Sequence, residues 1–567
     1  MTHANHPTIT GNDRRVWLLV ALVLATFVGI SVYTISVKSI TNDELAHIPA
    51  GYSYLKTFDF RMNSEHPPLI KELAAIPLLF VNAYLPLEHE SWNDTLEWEF
   101  GAQTLYFQNS NSDQIIFWAR VPMILLGVLL GIYIFLFGRA LYGPIAGIAA
   151  LALYSFCPNV LAHTSLVTTD VGLALFSTMT LYHYWKYLDG AQRKDLMLAA
   201  VGFGLAMAAK FSAVYLGPIL ALIAIAHELS QRHSRTQHAT QRVKELALIA
   251  SIGALVILLS YGIVHIDKYI EGLIEVAAHS QRGHNAYLMG EFSSQGFFWY
   301  FPIAMLLKTP IALFVMLGLV IGFYQKTHHD IRASIYKDSI LLIPIAVFLG
   351  AFMLNNINIG LRHVLPIYPL LFIFASQAVN LSWKRWTKIA VIGGLLMWYI
   401  VSTALVVPDQ IAYFNEFAGG PENGYKYLID SNLDWGQDLK QLGWYLDEHG
   451  IGSVKMAYFG KDSRAYRGIT WEELKCAPES GVLAVSVNRL VGLDAESSEC
   501  LEWLRGFEPI AKIGYSIFVY NLSEEDVRPA QAQHCDTQCK KKCEAELQAF
   551  AGSLYNQSCR CRCNPVT

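Results

Sequence analysis

Long uncharged apolar runs, separated by short polar breaks, dominate the chain. Residues 16–37 hold no charged side chain, and crossing about 30 Å of hydrocarbon takes roughly 20 such residues. Similar runs occupy 115–137, 140–156, 166–187, 196–209, 211–226, 246–265, 298–323, 339–354, 364–381 and 389–407. The pattern therefore predicts about eleven membrane-spanning helices over residues 1–407. The first run is too long for a secretory signal and lacks a small-residue cleavage site. It is expected to be retained, with Arg14 and Arg15 on its cytoplasmic flank. After residue 407 the pattern changes. Residues 408–522 read as a small α/β domain: Leu439, Leu442 and Leu446 mark a helix over 438–447, and strand-like runs follow at 454–458, 482–487 and 517–520. A polar linker over 523–533 leads to a Cys-rich tail, so 523–567 forms a third segment.

Composition sharpens this picture. Apolar residues make up 53% and charged residues 16% of the 567, where soluble domains carry about 25% charged. The net charge of −4 excludes a nucleic-acid binder driven by bulk basicity, and the apolar excess excludes disorder. The fold class expected is an α-helical polytopic membrane protein.

Loop charge orients it. Alternate connections hold Arg139; Arg193 and Lys194; Arg232, Arg235, Arg242 and Lys244; Lys326, Arg332 and Lys337; and Lys384, Arg385 and Lys388. The loop 38–114, where amphipathic helices are expected, holds four Lys/Arg against eleven Asp/Glu. The positive-inside rule puts the first set in the cytoplasm with the N-terminus. An odd number of spans then puts everything after residue 407 outside, in the periplasm if the membrane is a bacterial inner membrane. Eight of the nine cysteines fall on that side: Cys476, Cys500, Cys535, Cys539, Cys543, Cys559, Cys561 and Cys563. Disulfides persist there. Cys535, Cys539 and Cys543 share one helix face, and Cys559, Cys561 and Cys563 share one strand face. A helix stapled to a strand by three disulfides is expected, with a metal cluster as the alternative.

Ionisable residues gather at the predicted outer ends of the spans rather than at mid-membrane, where a transporter holds them. Asp43 and Glu44 follow the first span, in a run that also fits a helix start. Glu65-His66-Pro67-Pro68 comes next. Thr168-Thr169-Asp170, Lys210, Lys308-Thr309-Pro310 and Gly360-Leu361-Arg362-His363 occupy the outer ends of later spans. Arg362 lies where the positive-inside rule expects no cation. Two carboxylate sites and several cations on one face suit a substrate with a sugar, a phosphate and a lipid tail. A lipid or sugar transporter or flippase would instead show charges at mid-span and Gly/Pro-broken helices in matched halves; the runs show neither. A non-catalytic assembly subunit, its outer domain binding a partner, is the other alternative.

These motifs carry a family resemblance. Asp43-Glu44, His66-Pro67-Pro68, Thr168-Thr169-Asp170, Lys210, the run from Tyr300-Phe301-Pro302 to Lys308-Thr309-Pro310, and Gly360-Leu361-Arg362-His363 resemble the GT-C superfamily of polyprenyl-phosphate-sugar-dependent glycosyltransferases. The branch is that of the protein O-mannosyltransferases and the lipid A aminoarabinose transferase. Tyr413-Phe414-Asn415-Glu416 through Gly419-Gly420-Pro421 to the block 431–438 resembles uncharacterised bacterial members. The Cys-rich tail departs from the family pattern. The outer domain also lacks the tryptophan- and histidine-rich β-trefoil signature of the eukaryotic mannosyltransferases.

The resemblance implies a GT-C-like fold, a polyprenyl-phosphate sugar donor and a hydroxyl acceptor. Asp43 is the expected base, with Glu44 shaping the loop around it. Asp170 is expected to orient sugar or acceptor, or to hold a divalent cation (Mg or Mn) with Asp43. Arg362 is the expected phosphate ligand, because its planar fork grips two oxygens; Lys210 and Lys308 are further candidates. His66, His363, Asn432 and Asp434 are candidate substrate contacts.

Overall fold

The computed structural model describes residues 11–230, 235–327, 330–493, 500–545, 548–555 and 559–565. Two compact units form. One comprises the chain up to Val37, Asp43–Ala286 and Ser293–Gly424; the other comprises Lys38–Asn42, Tyr287–Phe292 and the chain from Tyr425 onwards.

The first unit is helical. Among the described residues, seven helices are long and apolar enough to cross a membrane, or nine if each of two bent pairs is one span. Two of the eleven expected spans fall short of that standard. They are the helices Asp170–Leu188, of 19 residues, and Arg193–Ala209, of 17. The run 298–323, expected as one span, is instead broken into Tyr300–Lys308 and Ile311–Gly322, bent by 106°. Thr309 is extended and Pro310 has no N–H, so the helix cannot continue through the pair. Pro144–Ser155 and Pro158–Thr164 bend by 65° in the same way. Proline-broken helices, which the sequence pattern did not reveal, are therefore present.

Residues 411–415 belong to this unit rather than to the α/β part. Asn415 donates its side-chain amide to the carbonyls of Leu306 (2.6 Å) and Thr309 (2.7 Å). It thereby satisfies carbonyls that the end of the Tyr300–Lys308 helix leaves without intrahelical partners. In the loop after the first span, the helix Asn42–Thr57 packs against Leu69–Ala75 at Gly51. A Cβ there would stand 2.0 Å from the Lys71 carbonyl oxygen, so only glycine permits this approach.

The second unit is built on a five-stranded mixed sheet. Its order is Trp471–Glu473, Val454–Ala457, Gly481–Ser486, Ile517–Leu522, Ala511–Ile513. Val454–Ala457 runs parallel to both neighbours, and Ile517–Leu522 antiparallel to both of its own. The helix Leu439–Glu448 buries Leu439, Leu442 and Leu446 against Val454, Met456, Ala484, Ile517 and Val519. The expected linker 523–533 is instead the start of a helix, Glu524–Ala545, which precedes a hairpin of Gln548–Tyr555 and Cys559–Pro565.

The tail is stapled, though not throughout as expected. Cys476 bridges Cys500, Cys539 bridges Cys561, and Cys543 is also disulfide-bonded. Cys535 and Cys559 are thiols in hydrogen-bonding contact with one another, not a third described bridge. The side chain of Cys563 lies outside the described residues.

Candidate functional site

The helix Asn42–Thr57 starts with Asp43 and Glu44 in its first turn, where the helix dipole favours carboxylates. Adjacent helical side chains point about 100° apart, so the two carboxylates meet different partners. Glu44 is wholly buried in a two-pronged pair with Arg120: Nε to Oε1 at 2.8 Å and Nη2 to Oε2 at 2.6 Å. It also accepts from the Val167 backbone N–H at 2.9 Å. Glu44, a candidate catalytic carboxylate expected to shape the loop around Asp43, thus braces the helix against Arg120 and the Val167 segment.

His47 lies one turn after Asp43, on the same face. Its Nδ1 is 2.8 Å from the Val167 carbonyl oxygen. Glu44 and His47 thus hold the segment leading into Asp170 from two directions, and Asp170 opens the helix Asp170–Leu188.

Four charges converge here. Arg362, on the short helix Leu361–Ile367, donates Nη1 to Asp43 Oδ2 at 2.7 Å. The same nitrogen lies 3.9 Å from Asp170 Oδ2. Lys210 donates to Asp170 Oδ1 at 2.5 Å; it sits in extended backbone just past the helix Arg193–Ala209, so its side chain leaves the helical row. Side-chain exposure is 1% for Asp170, 7% for Arg362, 9% for Lys210 and 21% for Asp43. Asp43 is thus the carboxylate that an incoming group can reach.

Histidines surround the four. The His66 ring stands edge-on to His47 with centroids 5.2 Å apart. Burial holds both imidazoles below the usual histidine range; Asp43 opposes this for His47, whereas His47, Lys210 and Lys71 add to it for His66. His163 and His363 act electrostatically on Asp170, and His363 Nε2 is buried without a hydrogen-bond partner. Lys71 pins the His66 segment: its ammonium donates to Tyr54 Oη (2.9 Å), Asn63 O (2.7 Å) and His66 O (2.8 Å). Burial pushes the Lys71 pKa down to about 7 against the pull of Glu97 and Glu72.

Other candidates are otherwise engaged. Lys308, a further phosphate candidate, is engaged with the backbone. Its buried ammonium donates to the carbonyls of Ile411 (2.8 Å) and Tyr413 (3.0 Å) and stands over the Phe414 ring. Asn432 and Asp434 belong to the second unit and are fully buried there. Asn432 donates to Ile429 O at 3.1 Å. Asp434 accepts from the N–H groups of Gly436 (3.2 Å) and Asn488 (3.3 Å). Their side chains serve a buried turn, and burial pushes the Asp434 carboxyl up to about 7. Asp43 and Asp170 offer the oxygen ligands that Mg or Mn takes, but the Arg362 guanidinium stands 2.7 Å from one and 3.9 Å from the other, so an ion shared by them would compete with it.

His47, Lys71, Arg120 and His163 were absent from the candidate residues. His47 had a signal, its four-residue spacing from Asp43. Arg120 had only its charge inside an apolar run.

Solved structures resemble this chain at low identity. ArnT from Cupriavidus metallidurans bound to undecaprenyl phosphate is 12% identical with a TM-score of 0.48, over 89% of this chain and 97% of that one. The protein O-mannosyltransferase Pmt1–Pmt2 complex of S. cerevisiae bound to the sugar donor is 16% identical with a TM-score of 0.35, over 46% and 35%. An oligosaccharyltransferase of Archaeoglobus fulgidus in complex with Zn and sulfate is 12% identical with a TM-score of 0.39, over 85% and 70%. Among curated proteins, none matches the sequence. It is through residues 110–257, which supply Arg120, His163, Asp170 and Lys210, that the chain matches the model of the dolichyl-phosphate-mannose-protein mannosyltransferase family.

Proposed function

We propose that this chain is a membrane glycosyltransferase moving a sugar from a polyprenyl-phosphate donor to an acceptor hydroxyl on the outer face of the membrane. The observation that carries the reading is the shared guanidinium of Arg362, 2.7 Å from Asp43 and 3.9 Å from Asp170. The match to a family acting with a lipid-phosphate-linked mannose supports it. The charges of the connecting loops support a cytoplasmic N-terminus and a site on the outer face, which in a bacterial inner membrane is the periplasmic face.

In this reading the donor phosphate competes with Asp43 for Arg362. Arg362 grips two phosphate oxygens, and Lys210 adds a point charge while Asp170 keeps both cations in place. The phosphate thereby frees the Asp43 carboxylate from its guanidinium partner. Asp43 then takes the proton of the acceptor hydroxyl as the acceptor oxygen bonds to the anomeric carbon. The bond from that carbon to the phosphate oxygen breaks, and its electron pair leaves with the phosphate. Fixed cations in a site of low dielectric stabilise the charge that grows there. The acceptor is a hydroxyl of protein, glycan or lipid.

The test is mass spectrometry of glycans and glycolipids from cells with the protein, without it, and with Asp43→Asn alone. A sugar-bearing product should be present in the first and missing from the other two. Identical profiles in all three overturn the proposal.

A further inference from the structure

Asp43, His47 and His66 bring one ligand atom each to within 4.8 Å of one another. Two features mark this group as more than polar neighbours. His47 is oriented from behind: a carbonyl oxygen can only accept, so the contact with Val167 O puts the imidazole proton on Nδ1 and leaves Nε2 with its lone pair. A backbone carbonyl behind a ligating histidine is the usual outer-shell arrangement at metal sites. His66, for its part, is held by the Lys71 ammonium on its own carbonyl, so its loop is fixed against the helix that carries the other two.

We propose that Asp43, His47 and His66 form a binding site for a borderline dication of the zinc type, and that its occupation inhibits sugar transfer. The second half rests on the function proposed above, because it is the base, Asp43, that the ion would sequester. Two imidazoles and one carboxylate suit zinc better than magnesium or manganese. Three protein ligands leave a fourth position for water. Bonds of about 2.0–2.1 Å put tetrahedral ligands about 3.4 Å apart, so the side chains must draw together by roughly 1 Å. Asp43 holds Arg362 through Oδ2, so ion and guanidinium compete for one carboxylate. Arg362, Lys71 and Lys210 are also near enough to act on His66. Their charge keeps the site weaker than a carboxylate-rich one, as a reversible inhibitory site requires.

The experiment uses the full chain, purified in detergent without a polyhistidine tag, its accessible thiols alkylated, and titrated with zinc and with cobalt. Wild type should bind an ion that is lost, or weakened at least about tenfold, in His47→Gln and in His66→Gln. Bound cobalt should show visible d–d absorption without a thiolate charge-transfer band. Asp43→Asn, which keeps the side-chain volume, should weaken binding in the same way and guards against misfolding of the histidine variants. Zinc should lower the rate of sugar transfer by wild type, and chelation should restore it. Binding unchanged in all three variants, or no binding by wild type, overturns the site. Binding at these residues without inhibition overturns the regulatory half. A protein that binds zinc here but transfers no sugar from any polyprenyl-phosphate donor overturns the proposed function and leaves the site standing.

Discussion

Arg362 donates to Asp43 at 2.7 Å across 319 residues of sequence, joining the cation expected to hold phosphate to the carboxylate expected to take a proton. The pair describes a resting state in which each group neutralises the other. A phosphate analogue should therefore compete with Asp43 for the guanidinium. Replacing Arg362 with Lys keeps the charge and loses the fork. Binding of a polyprenyl-phosphate analogue in detergent should fall at least about tenfold in Arg362→Lys and further in Arg362→Ala. Unchanged affinity in Arg362→Ala removes this residue from the donor site.

Asp43→Asn separates base from helix start. Asparagine keeps the size and can still serve a helix N-terminus, so thermal unfolding should stay near wild type. General-base help is worth about 10²–10⁴-fold, and turnover in a purified transfer assay should drop by at least that factor. Transfer at the wild-type rate would move the base elsewhere, with Asp170 next to test.

Glu44 and Arg120 should behave as a buried pair. Removing one partner of such a pair leaves an uncompensated charge and costs about 3–5 kcal/mol. Glu44→Ala should therefore lower the unfolding temperature sharply. The double replacement Glu44→Gln with Arg120→Met should recover most of the loss, since it removes both charges. If Glu44→Gln instead keeps full stability and abolishes turnover, Glu44 belongs to the chemistry after all.

Asp434 makes the second unit sensitive to pH. Its carboxyl is pushed up to about 7 in the fold, against about 3.9 in an unfolded chain. The folded state therefore holds the proton more tightly. The stability this contributes is complete below pH about 4 and is lost as pH rises through about 7. The slope is at most about 1.4 kcal/mol per pH unit. Thermal unfolding between pH 4 and 8 should show the decline in wild type, and Asp434→Asn should flatten it.

The tail cysteines should divide under alkylation of the native protein. Cys476, Cys500, Cys539 and Cys561 should stay unlabelled until reduction. Cys559, which is partly exposed, should label, whereas buried Cys535 should label only after denaturation, and mild oxidation should protect the two together. Buried Cys157 should label only after denaturation. Labelling of Cys539 or Cys561 before reduction would contradict the bridge between them.

Parts of this site were legible because a charge in an apolar chain is conspicuous. Asp43, Asp170, Lys210 and Arg362 each interrupt or border a run of apolar residues, and the structure gathers all four. Lys308 bore the same signal and is tied to backbone instead. Its partners are the backbone carbonyls of Ile411 and Tyr413, and every residue has a carbonyl, so no side-chain pattern points to that use. Glu44 and Asp43 are adjacent and alike in type. Only the rotation of the helix sends one to Arg120 and the other to Arg362.

Composition and hydrophobic periodicity alone determined that the chain is a helical membrane protein, that its character changes after the last apolar run, and that Leu439, Leu442 and Leu446 line a helix packed on strands. These follow from the transfer of apolar surface out of water, which depends on residue type and spacing along the chain. Tertiary structure alone decided which carboxylate meets which cation, where proline bends a helix instead of ending a span, and that His47 and His66 flank Asp43. Such pairings depend on distance and on a local dielectric created by the packed neighbours, and groups hundreds of residues apart acquire both only when the helices that carry them come together.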